Sequence, residues 1–229
     1  YVAVLSGNTD LLEKAKLDKK ITALESERKN FLRERNGAIG KLAEIDHSLS
    51  YHTGKIQEAK KDLACFEQRV ERDAEGNPVN RLSIKGVEDC SDIKVIAHRL
   101  QEIEEKARTN GEYNKIGELY GFSVMVKTES SSQNLFDLSV NRFFVKGEGS
   151  IYYTYNNGKL ANDPKLACLN FFNALERIPK VIESHEKEIA KVSANKEVYT
   201  AIANSSWKKE EELRALKGEA AELDRKIAL

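Results

Sequence analysis

Leu17, Leu24, Phe31, Ala38, Ile45, His52, Ala59 and Phe66 recur at intervals of seven, and Ile21, Arg28, Arg35, Leu42, Leu49, Ile56, Leu63 and Val70 form a second such series offset by four. Alternating steps of three and four place both series along one side of a helix, as in the seam of a coiled coil. The spacing predicts a helix from Thr9 into the seventies. Asn8 serves as its N-cap, Asp10 as an acid in its first turn, and Asp73-Ala74-Glu75-Gly76-Asn77-Pro78 as its end. Gly37, Gly40 and Gly54 lie inside this run, and each costs about 1 kcal/mol against alanine in a helix. A hairpin turn near residues 36–40 or 46–54 is therefore the competing reading. The heptad phase passes through all three glycines unbroken, which favours one helix, on the order of 80 Å long.

The other end of the chain repeats the pattern, with Ile178, Ile182, His185, Ile189 and Val192 as one stretch and Leu213, Leu216, Ala220, Leu223 and Ile227 as another. Pro179 starts the first helix, and Ser205 or Ser206 starts the second ahead of Glu210, Glu211 and Glu212. An apolar stripe needs a partner. The simplest arrangement returns these helices antiparallel along the N-terminal one, placing residues 17–21 beside 220–223 and the intervening domain at the far tip. Trp207 then reads as an anchor at a helix joint.

Between 79 and 157 the period changes from seven to two. Residues 81–85 read as a short strand, and Ser91 as the cap of a helix carrying Ile93, Ile96, Leu100 and Ile103. Residues 119–127 read as a strand with Phe122, Val124 and Val126 on one face. Residues 128–134 are Ser-rich and read as a mobile loop. Phe136, Leu138 and Val140 then alternate in one phase, Phe143 and Val145 in the other, so a bulge near Asn141 is expected. Gly147-Glu148-Gly149 turns the chain into residues 151–155, and Asn156-Asn157-Gly158 closes that strand with residues that tolerate positive φ. Asp163 as N-cap with Pro164 in the first helical position opens a helix through Leu169, Phe172 and Leu175. The fold class is therefore α+β, a long antiparallel coiled-coil stalk with a small head built on a three- or four-stranded antiparallel meander. The implied domains are an N-terminal coiled-coil helix (1–76), the head (77–178) and C-terminal coiled-coil helices (179–229).

Composition agrees with exposed helices: 32% of the 229 residues are charged, and there are only 3 prolines and 13 glycines. The 37 basic and 37 acidic side chains balance overall, and they balance again within each part of the chain. A dedicated polyphosphate grip normally shows a basic excess. The one local excess is Lys14, Lys16, Lys19, Lys20, Arg28, Lys29, Arg33 and Arg35, which reads as a solvated helix face. No apolar run is long enough to span a membrane and no signal peptide stands at the start. Cys65, Cys90 and Cys168 are odd in number and lack metal-ligand spacing, so a reducing cytoplasm is the expected location. The chain opens on Tyr1, which reads as a piece of a longer polypeptide.

Chemistry-bearing motifs are few. There is no Gly-x-x-x-x-Gly-Lys-Ser/Thr loop, no Gly-x-Gly-x-x-Gly and no Asn/Asp-Pro-Pro-Tyr. Asn162-Asp163-Pro164-Lys165 reads as helix capping, and His47, His52, His98 and His185 show no ligand spacing. No metal, cofactor or small-molecule substrate is expected. The feature with functional content is aromatic: Tyr120, Phe143, Phe144, Tyr152, Tyr153 and Tyr155, flanked by Arg142, Lys146 and Lys159. Rings with cations between them suit stacking on bases and pairing with phosphates of a single strand. Alternation sends about half of these rings inward. The candidate nucleic-acid contacts are Arg142, Lys146, Tyr152, Tyr153 and Lys159.

Several strings together carry a resemblance. They are Leu5-Ser6-Gly7-Asn8, Leu12-Glu13-Lys14-Ala15-Lys16-Leu17-Asp18, Leu24-Glu25-Ser26-Glu27-Arg28-Lys29, Gly117-Glu118-Leu119-Tyr120-Gly121-Phe122, Tyr153-Thr154-Tyr155-Asn156-Asn157-Gly158 and Leu213-Arg214-Ala215-Leu216-Lys217. The chain resembles the C-terminal region of large helicase and N6-adenine DNA methylase proteins of bacterial mobile elements. That resemblance implies an accessory module lying just beyond the second motor lobe of a helicase, with the other domains of the parent as partners and DNA as a possible one. No helicase or methylase motif falls within these residues, so no catalytic residue is implied. The expectation is a non-catalytic module that assists DNA engagement or motor positioning. The alternative is a structural coiled-coil module that docks proteins without touching DNA.

Overall fold

The seven-residue pattern is what the structure buries. In the computed structural model, which describes residues 9–130 and 139–227, helix α1 runs without a break from Thr9 to Arg69. Every position of the two heptad series is half-buried or buried, with Leu24, Ala38, Ile45, Ile56, Ala59 and Phe66 the most enclosed. A Cβ at Gly37, Gly40 or Gly54 would meet nothing within 4 Å. The glycines therefore cost propensity without touching the packing that holds the helix, and the hairpin is not formed. Asn8, Phe136 and Leu138 lie outside the described residues.

The remaining elements follow in order: β1 (Ser83–Ile84), α2 (Ile93–Lys106), β2 (Asn114–Leu119), β3 (Phe122–Ser130), β4 (Ser139–Lys146), β5 (Tyr152–Tyr153), a 3-10 turn (Asn156–Gly158), α3 (Pro164–Glu176), α4 (Ile178–Ser193), α5 (Lys196–Ala203) and α6 (Glu210–Ile227). The five strands form one antiparallel sheet in sequence order. Two compact units result, one of Tyr1–Leu49 with Lys191–Leu229 and one of Ser50–Ala190.

In the second unit, Phe122, Val124 and Val126 of β3 and Phe143 and Val145 of β4 share a single core with Ile96 and Leu100 of α2, Phe172 and Leu175 of α3, Ile178 and Ile182 of α4, and Ile56, Ala59 and Phe66 of α1. Fully burying side chains of this size stabilises by about 1.5–3 kcal/mol each. The sheet has five strands where three or four are expected, β2 being the one added, and it departs from the sequence reading in three further places. Residues 119–127 are not one strand, because Tyr120 and Gly121 (φ 51° and 80°) form a two-residue left-handed turn joining β2 to β3. Tyrosine accepts this conformation because its ring is buried and its hydroxyl donates to the Val79 and Glu71 carbonyls. The β3–β4 register runs unshifted from Ser123↔Lys146 to Ser130↔Ser139, so there is no bulge at Asn141, and the register shift lies in β2 between Lys115 and Gly117. Residues 128–130, expected in a loop, continue β3.

Asn141 keeps the inward phase of Phe143 and Val145 and satisfies its amide there. Its Nδ2 donates to the Glu104 and Ala107 carbonyls at the end of α2 (2.7 and 3.0 Å), and its Oδ1 accepts from Thr128 Oγ1 (2.6 Å). The cap of α2 is Asp92 rather than Ser91, its carboxylate accepting the Lys94 N–H at 2.8 Å. Asp163 and Pro164 open α3 as expected.

In the first unit, Leu24 packs with Leu213 and Leu216 of α6, with Leu17, Ile21 and Trp207 around them. Lys14 faces Asp224, Lys20 faces Glu212 at 3.4 Å and Arg28 faces Glu210 at 2.7 Å, while Lys209 and Lys217 return to Glu27 and Glu25. Opposed numbering along these pairs makes α6 antiparallel to the start of α1. The basic excess of residues 14–35 is thus partly taken up by acids of α6. Helix α5, absent from the sequence reading, is tied to α1 by Lys196–Asp46 (2.7 Å) and by Arg35 donating to the Ala203 carbonyl (3.0 Å).

Candidate nucleic-acid interface

Alternation gives the sheet a second face. Ser123, Met125, Lys127 and Glu129 of β3 stand opposite Lys146, Phe144, Arg142 and Val140 of β4, all pointing away from the helices. Tyr113 precedes β2, and Tyr152 comes from β5. Their rings stack with centroids 3.7 Å apart and planes 15° apart. Phe144, on the strand beside β5, meets both rings edge-on, at 5.2 and 6.2 Å. The Lys127 ammonium lies over Tyr113 at 4.8 Å and that of Lys146 over Tyr152 at 5.4 Å. Each aromatic pair contributes about 0.5–1.5 kcal/mol beyond its area, and each exposed cation–π contact about 0.5–1 kcal/mol.

Lys127 and Arg142 are direct cross-strand partners, and like charges in that position destabilise a sheet. Arg142 offsets this by lying 2.7 Å from the Glu129 carboxylate and by donating to the Asn157 carbonyl at 2.5 Å. Among the described residues Lys127 has the Tyr113 ring beneath it and no ion pair. The face thus combines a three-ring cluster with cations held on π surfaces, which an anion draws away at small cost.

Of the five residues expected from the sequence, Arg142, Lys146 and Tyr152 meet on this face. Tyr153 does not: it is 2% exposed, and its hydroxyl donates to Asp62 Oδ2 of α1 at 2.8 Å. Burial pushes the Tyr153 hydroxyl well above the ordinary tyrosine value, with the Asp62 hydrogen bond adding to it. Burial likewise raises the Asp62 carboxyl, against the lowering effect of the Tyr153 bond. Lys159 is exposed after the 3-10 turn, and among the described residues no ring contact or ion pair joins it to the stack. Tyr120 and Phe143 are core, and Tyr155 carries the Arg177 guanidinium 5.6 Å from its ring centre.

Sequence reasoning missed Tyr113 and Lys127. The signal for Tyr113 was the strand after it, whose glycine at 117 and charges at Lys115 and Glu118 conceal its alternation.

The turn Gly147-Glu148-Gly149 holds the edge of the platform against α1. Glu58 accepts the Ser150 N–H and hydroxyl, both at 2.8 Å, and a Cβ at Gly147 would run into the Asp62 carboxylate. Two carboxylates stand beside this turn, so an anion cradle is not built there.

His52 of α1 and His185 of α4 face each other with Nδ1 atoms 2.7 Å apart. One ring donates and the other accepts. Burial first, then the charges of His52 and Lys55, holds the His185 imidazole below its ordinary value. Burial pushes the Cys168 thiol up to about 11, making it a poor nucleophile. All three cysteines are free. Among the described residues no group of three or more His, Cys, Asp or Glu side chains is placed to hold a metal, and no helix is long and apolar enough to cross a membrane.

Residues 67–175 match the model of a family described as a domain of unknown function (DUF8438). The matched stretch contains the whole sheet and ends within α3. No curated protein and no solved structure matches the chain.

Proposed function

We propose that this chain is a non-catalytic accessory module of a DNA helicase or DNA methylase, and that it engages single-stranded DNA with the open face of its sheet. Its N- and C-terminal helices act as an antiparallel coiled-coil stalk. The observation that carries the reading is the Tyr113–Tyr152 stack with Phe144 at its edge and an ammonium on each outer ring. An incoming base takes the place of the Lys127 or Lys146 ammonium on a ring, and the displaced cation pairs with the adjoining phosphate. Base–aromatic stacking contributes about 1–3 kcal/mol per base and tolerates any sequence. With few cations on the face and a neutral chain, affinity is expected at micromolar or weaker at physiological salt, as for nonspecific contacts.

The test is fluorescence anisotropy of a labelled oligothymidylate titrated with the full chain at several salt concentrations. Salt-dependent binding weakened by Tyr113→Ala with Tyr152→Ala supports the reading. Absence of binding at low salt refutes it, leaving the protein-docking reading. That second reading draws on the engagement of Lys14, Lys20 and Arg28 by α6, and on the exposed apolar Leu12 and Val198. Turnover of ATP or methyl transfer by the purified chain would overturn both.

A further inference from the structure

A groove lies beside the aromatic stack and shares Tyr152 with it. It holds about 320 Å3, and its walls include Thr154 and Asn157 on one side and Arg177, Lys180 and Ser184 on the other. His185 also lines it, its Nδ1 engaged by His52. No Asp or Glu lines it. Among the described residues neither Arg177 nor Lys180 makes an ion pair. The nearby acids form their ion pairs elsewhere, Glu176 with Arg72 and Glu183 with Lys187 at 2.6 Å, the Lys180 charge acting on Glu183 without pairing to it. The Arg177 guanidinium rests on the Tyr155 ring, and the Asn157 carbonyl on the opposite wall is bound by Arg142 of the platform.

Two unpaired cations facing a concave, carboxylate-free space suit a phosphate, because the planar guanidinium offers paired donors and the ammonium adds charge. Thr154 and Ser184 supply hydroxyls and Tyr152 a ring. The volume suits one nucleotide unit rather than a duplex edge. Single strands supply such a unit with its base free to stack, whereas a duplex hides that base.

We infer that Arg177 and Lys180 form a phosphodiester site in this groove, which receives the backbone of a single strand whose base lies on the Tyr113–Tyr152 stack. The inference rests on the DNA-binding reading above and names the residues that grip the backbone. Arg177 and Lys180 lie beyond the matched family segment, which ends at residue 175, while Tyr152, Thr154 and Asn157 lie within it.

The experiment compares labelled oligothymidylate binding across a salt series for the wild-type chain, Arg177→Ala/Lys180→Ala, Tyr113→Ala/Tyr152→Ala and a control lacking two exposed cations of α1, Lys60→Ala/Lys61→Ala. Losing two phosphate contacts from a single strand lowers the slope of log K against log salt by about 1.4, at about 0.7 per phosphate. The groove variant should show that change with affinity on the order of tenfold weaker at low salt, while the control keeps the wild-type slope. Lys180→Glu alone, on an exposed position, should give a loss of the same direction if the double variant folds poorly by circular dichroism. Unchanged slope in the groove variant, with binding lost in the stack variant, overturns the groove and leaves the platform standing. No binding by the wild-type chain overturns both. An equal loss in the control, or equal affinity for duplex of the same length, also overturns the single-strand groove.

Discussion

Asn141→Ala should destabilise the sheet-containing unit by about 3 kcal/mol. The side chain is 5% exposed and makes three hydrogen bonds, two to carbonyls at the end of α2 and one from Thr128. Those carbonyls have no partner within their own helix, as at any helix C-terminus. The Thr128 hydroxyl also accepts the Thr109 N–H at 2.9 Å, and Thr109 returns the contact to the Thr128 N–H at 2.8 Å. Removing the amide thus strips one closed network of its central member. At about 1 kcal/mol per bond the loss is about 3 kcal/mol, the orphaned Glu104 carbonyl keeping it from being smaller, while the Ala107 carbonyl retains the Arg108 guanidinium at 2.7 Å. A shift of about 2–4 °C per kcal/mol places the fall in Tm at about 6–12 °C. The assay is urea unfolding followed by far-ultraviolet circular dichroism. Val140→Ala, one residue away but facing solvent, is the control and should change stability by less than about 0.5 kcal/mol. A loss below about 1 kcal/mol for Asn141→Ala would show that the network does not hold α2 to the sheet.

Tyr153→Phe should cost about 1–2 kcal/mol of stability, because it removes one of the two donors to the buried Asp62 carboxylate and leaves the Glu148 N–H, while oligonucleotide affinity of the folded variant stays at the wild-type level. Tyr152→Ala should weaken binding, and it should also cost about 1.5–4 kcal/mol in urea unfolding through its two ring contacts and the Lys146 contact; equal binding loss in both variants would place both rings in the interface. The His185 imidazole titrates below its ordinary 6.5, so the unfolded chain holds that proton more tightly, and stability falls as pH drops through about 6.5 until the folded imidazole itself is protonated. His185→Gln should remove that component, so the wild type loses stability relative to the variant below about 6.5, and parallel curves would refute it. Cysteines replacing Lys20 and Glu212, in a chain without Cys65, Cys90 and Cys168, should be joined within one monomer by a short bismaleimide. Products only between monomers would contradict the antiparallel return of α6.

How much of this was legible depended on whether the local signal and the packing agreed. The long helix was readable because its apolar repeat is set by burial, and burial outweighs three glycines whose positions leave the packing untouched. Asp163-Pro164 was readable because an N-cap and a proline are local devices. The β2–β3 turn was not, because Tyr120 has a conformation tyrosine rarely adopts, made favourable by the burial of its ring and by the carbonyls of Val79 and Glu71. Asn141 misled for a related reason. An inward polar residue breaks the hydrophobic alternation, and the partners that satisfy it lie 34 and 37 residues away in the chain. In the site, the cluster around Tyr152 was visible as composition. Which ring faces which side needed the register, and Tyr113, about 40 residues from Tyr152, needed the sheet.

The most direct measurement of the central claim is photo-crosslinking of an oligothymidylate bearing 4-thiothymidine to the full chain, followed by peptide mapping. Adducts are expected on Tyr113, Phe144 and Tyr152, falling as salt rises. Adducts confined to residues 14–35 of α1, with the sheet face unlabelled under conditions where the oligonucleotide binds, would contradict it.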